Sequence, residues 1–360
     1  MSTTAHITFI SAGAGSGKTH RLTEILHQEL LDQQVQPSGV IATTFTRKAA
    51  AELRERVRSH LLKQGQINLA TAMGQARIGT INSICGQLLE RFAFEAGMPP
   101  EQRVLEENQA ALLLNKAVDR VLDCERLDNL LAVARRLGLE DTNQQGDFAN
   151  TNWRDELRKL LSQLRTNDID LELSRSFADR NANDMLKHFP KPTTADLNGE
   201  LLHSIPKALD LLQAAGSDKK NTEAYITLLT RFHYELQQGN ARWSDWAKLA
   251  KEAPEAKLKP LVTTLSETIG RYAEHPDLHG DIRAYLEQVF GLAIDVLNVY
   301  EHNKREFGVL DFADQEHALL KLLDNPAVAQ VLEDELDLIM VDEFQDTSPM
   351  QLAIFLKRHS

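Results

Sequence analysis

Two cysteines, Cys85 and Cys124, are all that 360 residues contain. Two thiols neither build a disulfide framework nor complete a four-ligand zinc site. Long apolar runs are missing as well: no stretch approaches the ~18 consecutive apolar residues of a membrane span, so no membrane role is expected. The N-terminal Met-Ser-Thr-Thr-Ala-His lacks the basic start and apolar core of a secretory signal, and a reducing cytoplasm is the expected location. Positive charge is also in deficit, with 40 Lys and Arg against 52 Asp and Glu, a formal −12. Proteins that coat nucleic acid by bulk charge are basic, so that class is excluded. A machine with one local basic track is not. What is present, 42% hydrophobic and 26% charged residues, is ordinary globular composition, enough for about two domains with cores of their own.

Residues 1–95 alternate strand and helix patterns. His6–Ile10, Gly39–Phe45 and Ala76–Thr80 read as short strands, with helical patterns up to Leu30, from Lys48 to Leu62 and from Asn82 to Glu95. Such alternation predicts βαβ units and a parallel sheet. Gly97-Met98-Pro99-Pro100 breaks the pattern, and from there to about 305 helical periodicity dominates, for example Gln109–Leu122, Trp153–Leu164, Ala224–Leu236 and Ile282–Arg305. After Gly308 come a helix over Phe312–Leu323, an apolar strand over Leu336–Val341 and a last helix over Pro349–Arg358.

Between the first strand and the first helix stands Ala12-Gly13-Ala14-Gly15-Ser16-Gly17-Lys18-Thr19, the context a phosphate-binding P-loop requires. Glycines let successive N–H groups turn towards phosphate oxygens, and the helix start adds its positive dipole end. Lys18 is placed to reach the β- and γ-phosphates of ATP, and the Thr19 hydroxyl to bind Mg²⁺. Ala12 stands where the strict pattern has Gly. Far downstream, the strand ending in Asp342-Glu343 reads as a Walker B element: Asp342 would hold Mg²⁺, Glu343 would orient and deprotonate the attacking water, and Gln345 would aim at the same site. The distance from Lys18 to Asp342 far exceeds what one sheet needs, so the helical block is expected to be an insertion within a single nucleotide-binding domain.

Taken together, Ala12–Thr19 and Asp342-Glu343-Phe344-Gln345-Asp346-Thr347 resemble the UvrD/Rep helicases of superfamily 1. Thr43–Leu53 is similar to their motif Ia, and Gly79–Ile84 to their motif Ib. Leu310-Asp311-Phe312-Ala313-Asp314 and the long insertion lean towards the RecB/AddA branch of helicase–nucleases. The resemblance implies a RecA-like subdomain 1A from residues 1–95 and 306–360, and a helical 1B-like insertion over 96–305. It implies ATP-driven translocation on single-stranded DNA and unwinding of duplex DNA in recombination or repair, with a partner subunit in a helicase–nuclease complex.

The residues also read for DNA contact. Thr44, Thr46 and Arg47 lie at a strand-to-helix junction, where hydroxyls and helix N–H groups can grip a phosphate. Phe45 reads either as a base-stacking aromatic or as a core aromatic at a strand end. Thr80 and Asn82 would make a second backbone contact; relatives often carry His at the position of Asn82 and Asn at that of Arg47. From Arg47 to Lys63 six Lys or Arg face Glu52 and Glu55, either a local DNA track or a solvated helix face. Asp311 and Asp314 are expected to cap a helix, Trp153, Trp243 and Trp246 to be core, and His275 with His279 not to ligate metal.

Two family features are not found. No adenine-reading Gln precedes the P-loop, and the motif III strand and the arginines of subdomain 2A would lie beyond Ser360. The chain is therefore expected to be the N-terminal part of a helicase, binding nucleotide weakly and not unwinding DNA alone. The alternatives are a nucleotide-gated single-stranded-DNA-binding module completed by another polypeptide, or an inert helicase fragment.

Overall fold

The computed structural model of the chain describes residues 7–10, 18–32, 35–140, 152–167 and 169–357. In chain order the elements are α1 (Lys18–Leu31), β1 (Val40–Thr44), α2 (Arg47–Lys63), α3 (Ile67–Ala72), β2 (Arg77–Thr80) and α4 (Ile81–Arg91). A helical series follows: α5 (Glu107–Val121), α6 (Cys124–Leu137), α7 (Trp153–Thr166), α8 (Leu171–Leu186), α9 (Leu197–Ala214), α10 (Lys220–Gln237), α11 (Trp243–Lys251), α12 (Thr263–Gly270) and α13 (Pro276–Phe307). The chain continues through α14 (Phe312–Leu322), α15 (Pro326–Glu335), β3 (Leu338–Val341) and α16 (Pro349–Leu356). The protein is mixed α/β with a small parallel sheet. It divides into two compact units, one of Met1–Leu112, Arg165–Asp168 and Asn303–Ser360, the other of Leu113–Leu164 and Ile169–His302.

The first unit holds the sheet, in the order β2-β1-β3, all parallel. Parallel strands are covered on both faces and must be apolar along their length; Val40-Ile41-Ala42-Thr43-Thr44 is buried at all five positions. The two-residue period of a strand then sorts side chains. Val40, Ala42, Ile78 and Met340 face one core with Leu26 and Leu30 of α1 and Leu53, Val57 and Leu61 of α2. Ile41 and Ile339 face the other, built from Leu88 and Leu89 of α4, Leu319 and Leu322 of α14, Leu332 of α15 and Ile354 of α16. Gly39 precedes β1 because a Cβ there would lie 2.9 Å from the Glu335 carbonyl oxygen.

The strand expected over His6–Ile10 is not formed by its described residues, 7–10, which carry no strand pairing and leave Ile7 and Phe9 exposed. Apolar alternation gives a segment strand propensity, but a strand exists only where a neighbouring edge accepts it. Among the described residues β3 pairs with β1 alone.

The second unit is helical, around two cores. Leu201, Ile205, Tyr225, Phe232, Trp246 and Ile269 belong to one, and Leu130, Trp153, Leu161, Leu292 and Tyr300 to the other. The 32-residue α13 supplies both, with Leu278 and Ile282 in the first and Val289 to Tyr300 in the second. Asp281 is buried and satisfied three times, by two bonds from Arg136 (2.9 and 2.6 Å) and one from Trp243 Nε1 (2.8 Å). All three tryptophans are core, as expected. His275 packs edge-on against both Trp243 and Trp246, its Nε2 beside Asn198 Oδ1 (3.1 Å) and its Nδ1 accepting the Asp277 N–H (3.0 Å). His279 Nε2 meets the Ala273 carbonyl at 3.0 Å. Among the described residues no group of three His, Cys, Asp or Glu is arranged to hold a metal ion, and no helix is long and apolar enough to cross a membrane.

Candidate functional site

Parallel pairing brings the carboxyl ends of all three strands to one edge: Thr44 sits opposite Thr80, and Thr43 opposite Val341. Ligand sites in open α/β sheets lie at this edge. Here it carries Phe45 to Arg47, Thr80 to Asn82, and Asp342 to Gln345.

Asp342 extends the ladder one residue past β3, its N–H donating to the Thr43 carbonyl at 2.9 Å. Its Oδ1 accepts the N–H of Glu343 at 3.0 Å. Glu343 adopts φ 52°, ψ 45°, the left-handed region, and is the only residue other than glycine with positive φ among the described residues. This conformation costs a residue with a Cβ about 1–2 kcal/mol, and such strain collects at functional sites. Gln345 Nε2 donates to Glu343 Oε2 and, at 3.4 Å, to Asp346 Oδ2. The turn therefore presents three carboxylates with one amide threaded between them. Phe344 packs edge-on against Phe9, ring centroids 5.8 Å apart, so the chain leading into residues 11–17 runs beside the acidic turn.

Ala12, Gly13, Ala14, Gly15, Ser16 and Gly17 lie outside the described residues. So do the side chains of Lys18 and Thr19, whose backbone opens α1. Hard carboxylate oxygens with few protein ligands suit Mg²⁺, which keeps waters and takes the rest of its shell from phosphate oxygens; the carboxylate of Asp342 fits that donor set.

At the end of β1, Thr44 is buried and its hydroxyl donates to the Thr46 carbonyl at 3.0 Å, so it shapes the turn rather than facing solvent. Thr46 caps α2, its hydroxyl accepting the Ala49 N–H at 3.0 Å. The Ala50 N–H takes the Thr46 carbonyl, so the amides of Arg47 and Lys48 point out of the helix start. Phe45 is 73% exposed, which excludes the core-aromatic reading. Arg47 is exposed and meets Glu106 at 3.4 Å, a surface pair worth about 0–1 kcal/mol. Of the other basic residues on α2, Arg54 donates to the Ile78 carbonyl at 2.6 Å and Arg56 pairs with Glu52 at 3.5 Å, while Lys48, Arg58 and Lys63 are exposed.

Thr80 caps α4, accepting the Ser83 N–H at 3.3 Å, and the Ser83 hydroxyl returns to the Thr80 carbonyl at 2.8 Å. That hydroxyl occupies the space a Cβ on Gly79 would need, 2.3 Å away. Asn82 Oδ1 is buried with no hydrogen-bond partner among the described residues.

Asp311 and Asp314 form a reciprocal capping box on α14, as expected. Asp311 is also held by Arg165 at 2.5 Å and by the buried Lys304 at 3.3 Å, and Lys304 meets both oxygens of Asp314 at 2.7 Å. Arg165 and Lys304 carry no local signal and were not legible in the sequence. Gln351 is a further residue missed: it makes a capping box with Ser348 on α16 and donates to the buried Glu316 of α14 at 2.6 Å. Its signal was present, since Ser followed three positions later by Gln is a capping box. Cys85 is buried, and burial first, then Glu316 beside it, push its thiol up to about 12, which leaves it unreactive.

The UvrD/REP helicase N-terminal domain family matches residues 1–357. The chain belongs to that family. It is similar to an ATP-dependent helicase/nuclease subunit of Staphylococcus carnosus (strain TM300), 26% identical over 96% of this chain and 32% of the relative. The protein of the same description from Streptococcus pneumoniae (strain CGSP14) is 25% identical over 95% and 32%. The exonuclease/helicase subunit RexA of Streptococcus pneumoniae serotype 4 (strain ATCC BAA-334 / TIGR4) is 24% identical over 97% and 32%. The chain thus spans about a third of the length of the curated relatives it matches. The UvrD-like resemblance carried by motifs Ia, Ib and Asp342–Thr347 holds at the level of family, and these relatives are of the helicase–nuclease branch towards which it leaned.

Proposed function

We propose that this chain is the ATP-binding part of a UvrD-like DNA helicase, hydrolysing ATP with Mg²⁺ to drive translocation on, and unwinding of, DNA in recombination or repair. The observation that carries the reading is the meeting, at one sheet edge, of the acidic turn after β3, the capped turn after β1 and the cap after β2. In this reading residues 1–95 and 306–360 make the RecA-like subdomain 1A, and 96–305 its 1B-like helical insertion.

Ala12–Gly17 would wrap the phosphates with backbone amides, and Lys18 would hold the β- and γ-phosphates. Thr19 and Asp342 would hold Mg²⁺, which when bound neutralises charge on the transferring phosphoryl group. Glu343 would take the proton of the attacking water, with Gln345 fixing the carboxylate through its amide. On the DNA side, Phe45 would stack on a base, while Thr46, Arg47, Thr80 and Asn82 contact phosphates and Thr44 holds the turn. The word subunit in the names of the relatives supports a partner subunit in a helicase–nuclease complex, and the same reading places the chain in the cytoplasm.

The test is ATP hydrolysis with and without single-stranded DNA, beside a Lys18→Ala control. Stimulation by DNA in the wild type and a loss of roughly 100-fold or more in the variant are expected. Equal rates in the two would overturn the catalytic reading.

A further inference from the structure

The strained Glu343 needs its flanks held, because a residue stays in the left-handed region only where surrounding structure over-determines it. Upstream the hold is the sheet: Asp342 N–H bonds to the Thr43 carbonyl at 2.9 Å. Downstream the turn closes with Asp346 N–H to the Glu343 carbonyl (2.9 Å) and Thr347 N–H to the Phe344 carbonyl (3.1 Å), and the next residue, Ser348, caps α16. Gln351 holds that cap on two sides: its Oε1 accepts the Ser348 N–H at 3.2 Å, and its own N–H bonds to the Ser348 hydroxyl at 3.2 Å. The remaining arm, Nε2, reaches Glu316 Oε1 at 2.6 Å.

Glu316 is 6% exposed on α14, and its neighbours are Cys85 of α4, Asp311 at the start of α14 and Gln351 of α16. Burial first, and then Asp311, push its carboxyl above the ordinary range, while the Gln351 bond pulls it back. A buried carboxyl group requires a hydrogen-bond partner, and Gln351 meets that need, so the bond is stabilising for both ends.

We propose that Gln351, braced on Glu316, is a positioning residue that fixes the downstream end of the Asp342–Asp346 turn, and through it the carboxylates that take up Mg²⁺-nucleotide. The second half of this statement rests on the ATP-binding reading above; the first does not.

Amide hydrogen exchange at single-residue resolution decides the first half. Gln351→Ala is expected to speed exchange of the Asp346 and Thr347 amides by about tenfold, the equivalent of one lost hydrogen bond, with the Asp342 amide unchanged. Glu316→Gln, with Gln351 in place, keeps an acceptor for Gln351 without a charge and should retain wild-type exchange. Unchanged Asp346 and Thr347 amides in Gln351→Ala, or equal acceleration at Asp342, overturn the brace. Should Gln351→Ala not fold, Glu316→Met removes the brace, leaves the capping box and carries the same expectation.

The second half is read from binding of a fluorescent ATP analogue titrated with Mg²⁺. Gln351→Ala should raise the Mg²⁺ midpoint about tenfold, the usual cost of losing a residue that orients a metal ligand. Binding in EDTA should be unchanged and Glu316→Gln should be close to wild type. An unshifted midpoint in Gln351→Ala overturns the link to Mg²⁺. If Lys18→Ala binds the analogue as the wild type does, the ATP reading falls, while the exchange data still decide the brace.

Discussion

Glu343 carries two demands that oppose each other. Its backbone sits at φ 52°, where glycine is at ease and a side chain costs about 1–2 kcal/mol. Its side chain is the proposed base, linked to Gln345. Glu343→Gly should therefore raise stability to urea by up to about 1 kcal/mol, the relieved strain less the extra chain entropy of glycine, while removing ATP hydrolysis. Unfolding midpoints and rates measured on the same preparation check both. A variant less stable than wild type would mean that the strain is not located at this residue. The motif made the carboxylate visible in the sequence; nothing local announced its left-handed backbone.

At the scale of elements, the junction of β1 and α2 separates two roles that the sequence ran together. Thr46 holds the helix start as well as facing the proposed DNA side, since its hydroxyl accepts the Ala49 N–H, and Thr46→Ala should cost about 1 kcal/mol of stability. Phe45 packs against little and is exposed. Phe45→Ala should leave stability within ~0.5 kcal/mol and weaken single-stranded DNA binding by about 1–3 kcal/mol. Paired melting and DNA titrations separate the two; a large stability loss at Phe45 would show it to be packed after all. Elsewhere, local rules succeeded where one segment decides its own fate, as at the Asp311 capping box. They failed where packing decides. Pro206 lies inside α9, where proline ordinarily breaks a helix, yet Leu201, Ile205, Ala208 and Leu212 keep one buried face through it. The expected helix to Glu95 stops instead at Arg91, and residues 7–10 form no strand.

For the whole molecule, the distribution of tryptophan supplies a selective probe, because Trp153, Trp243 and Trp246 are all in the helical unit. His275 touches two of them, and burial holds its pKa below 6.5 against the opposing pull of Asp277, Asp281 and Asp196. The unfolded chain therefore takes up a proton that the folded unit refuses as pH drops below 6.5. Stability is full about a unit above that value and falls as pH drops through and below it. Fluorescence-monitored denaturant midpoints should decline between about pH 7.5 and pH 5.5, with a shallower decline in His275→Gln. Equal slopes in the two proteins would remove His275 as the cause. Against the net charge of −12, α2 exposes Lys48, Arg58 and Lys63, with Glu52 and Glu55 exposed among them.

What the sequence by itself determined is local: a strand within Gly39–Phe45, a strand running into Asp342-Glu343, and the helix capped by Asp311. Each follows from alternation, capping chemistry or motif spacing within a few residues. Only the tertiary structure decided that Thr44 and Thr80 lie side by side, that Phe45 faces solvent, that Arg165 and Lys304 converge on Asp311, and that Glu316 braces Gln351. The reason is physical. Apart from Lys304 to Asp311, seven residues apart, those contacts join segments far apart in the chain, so they depend on which faces bury together rather than on what any one segment prefers.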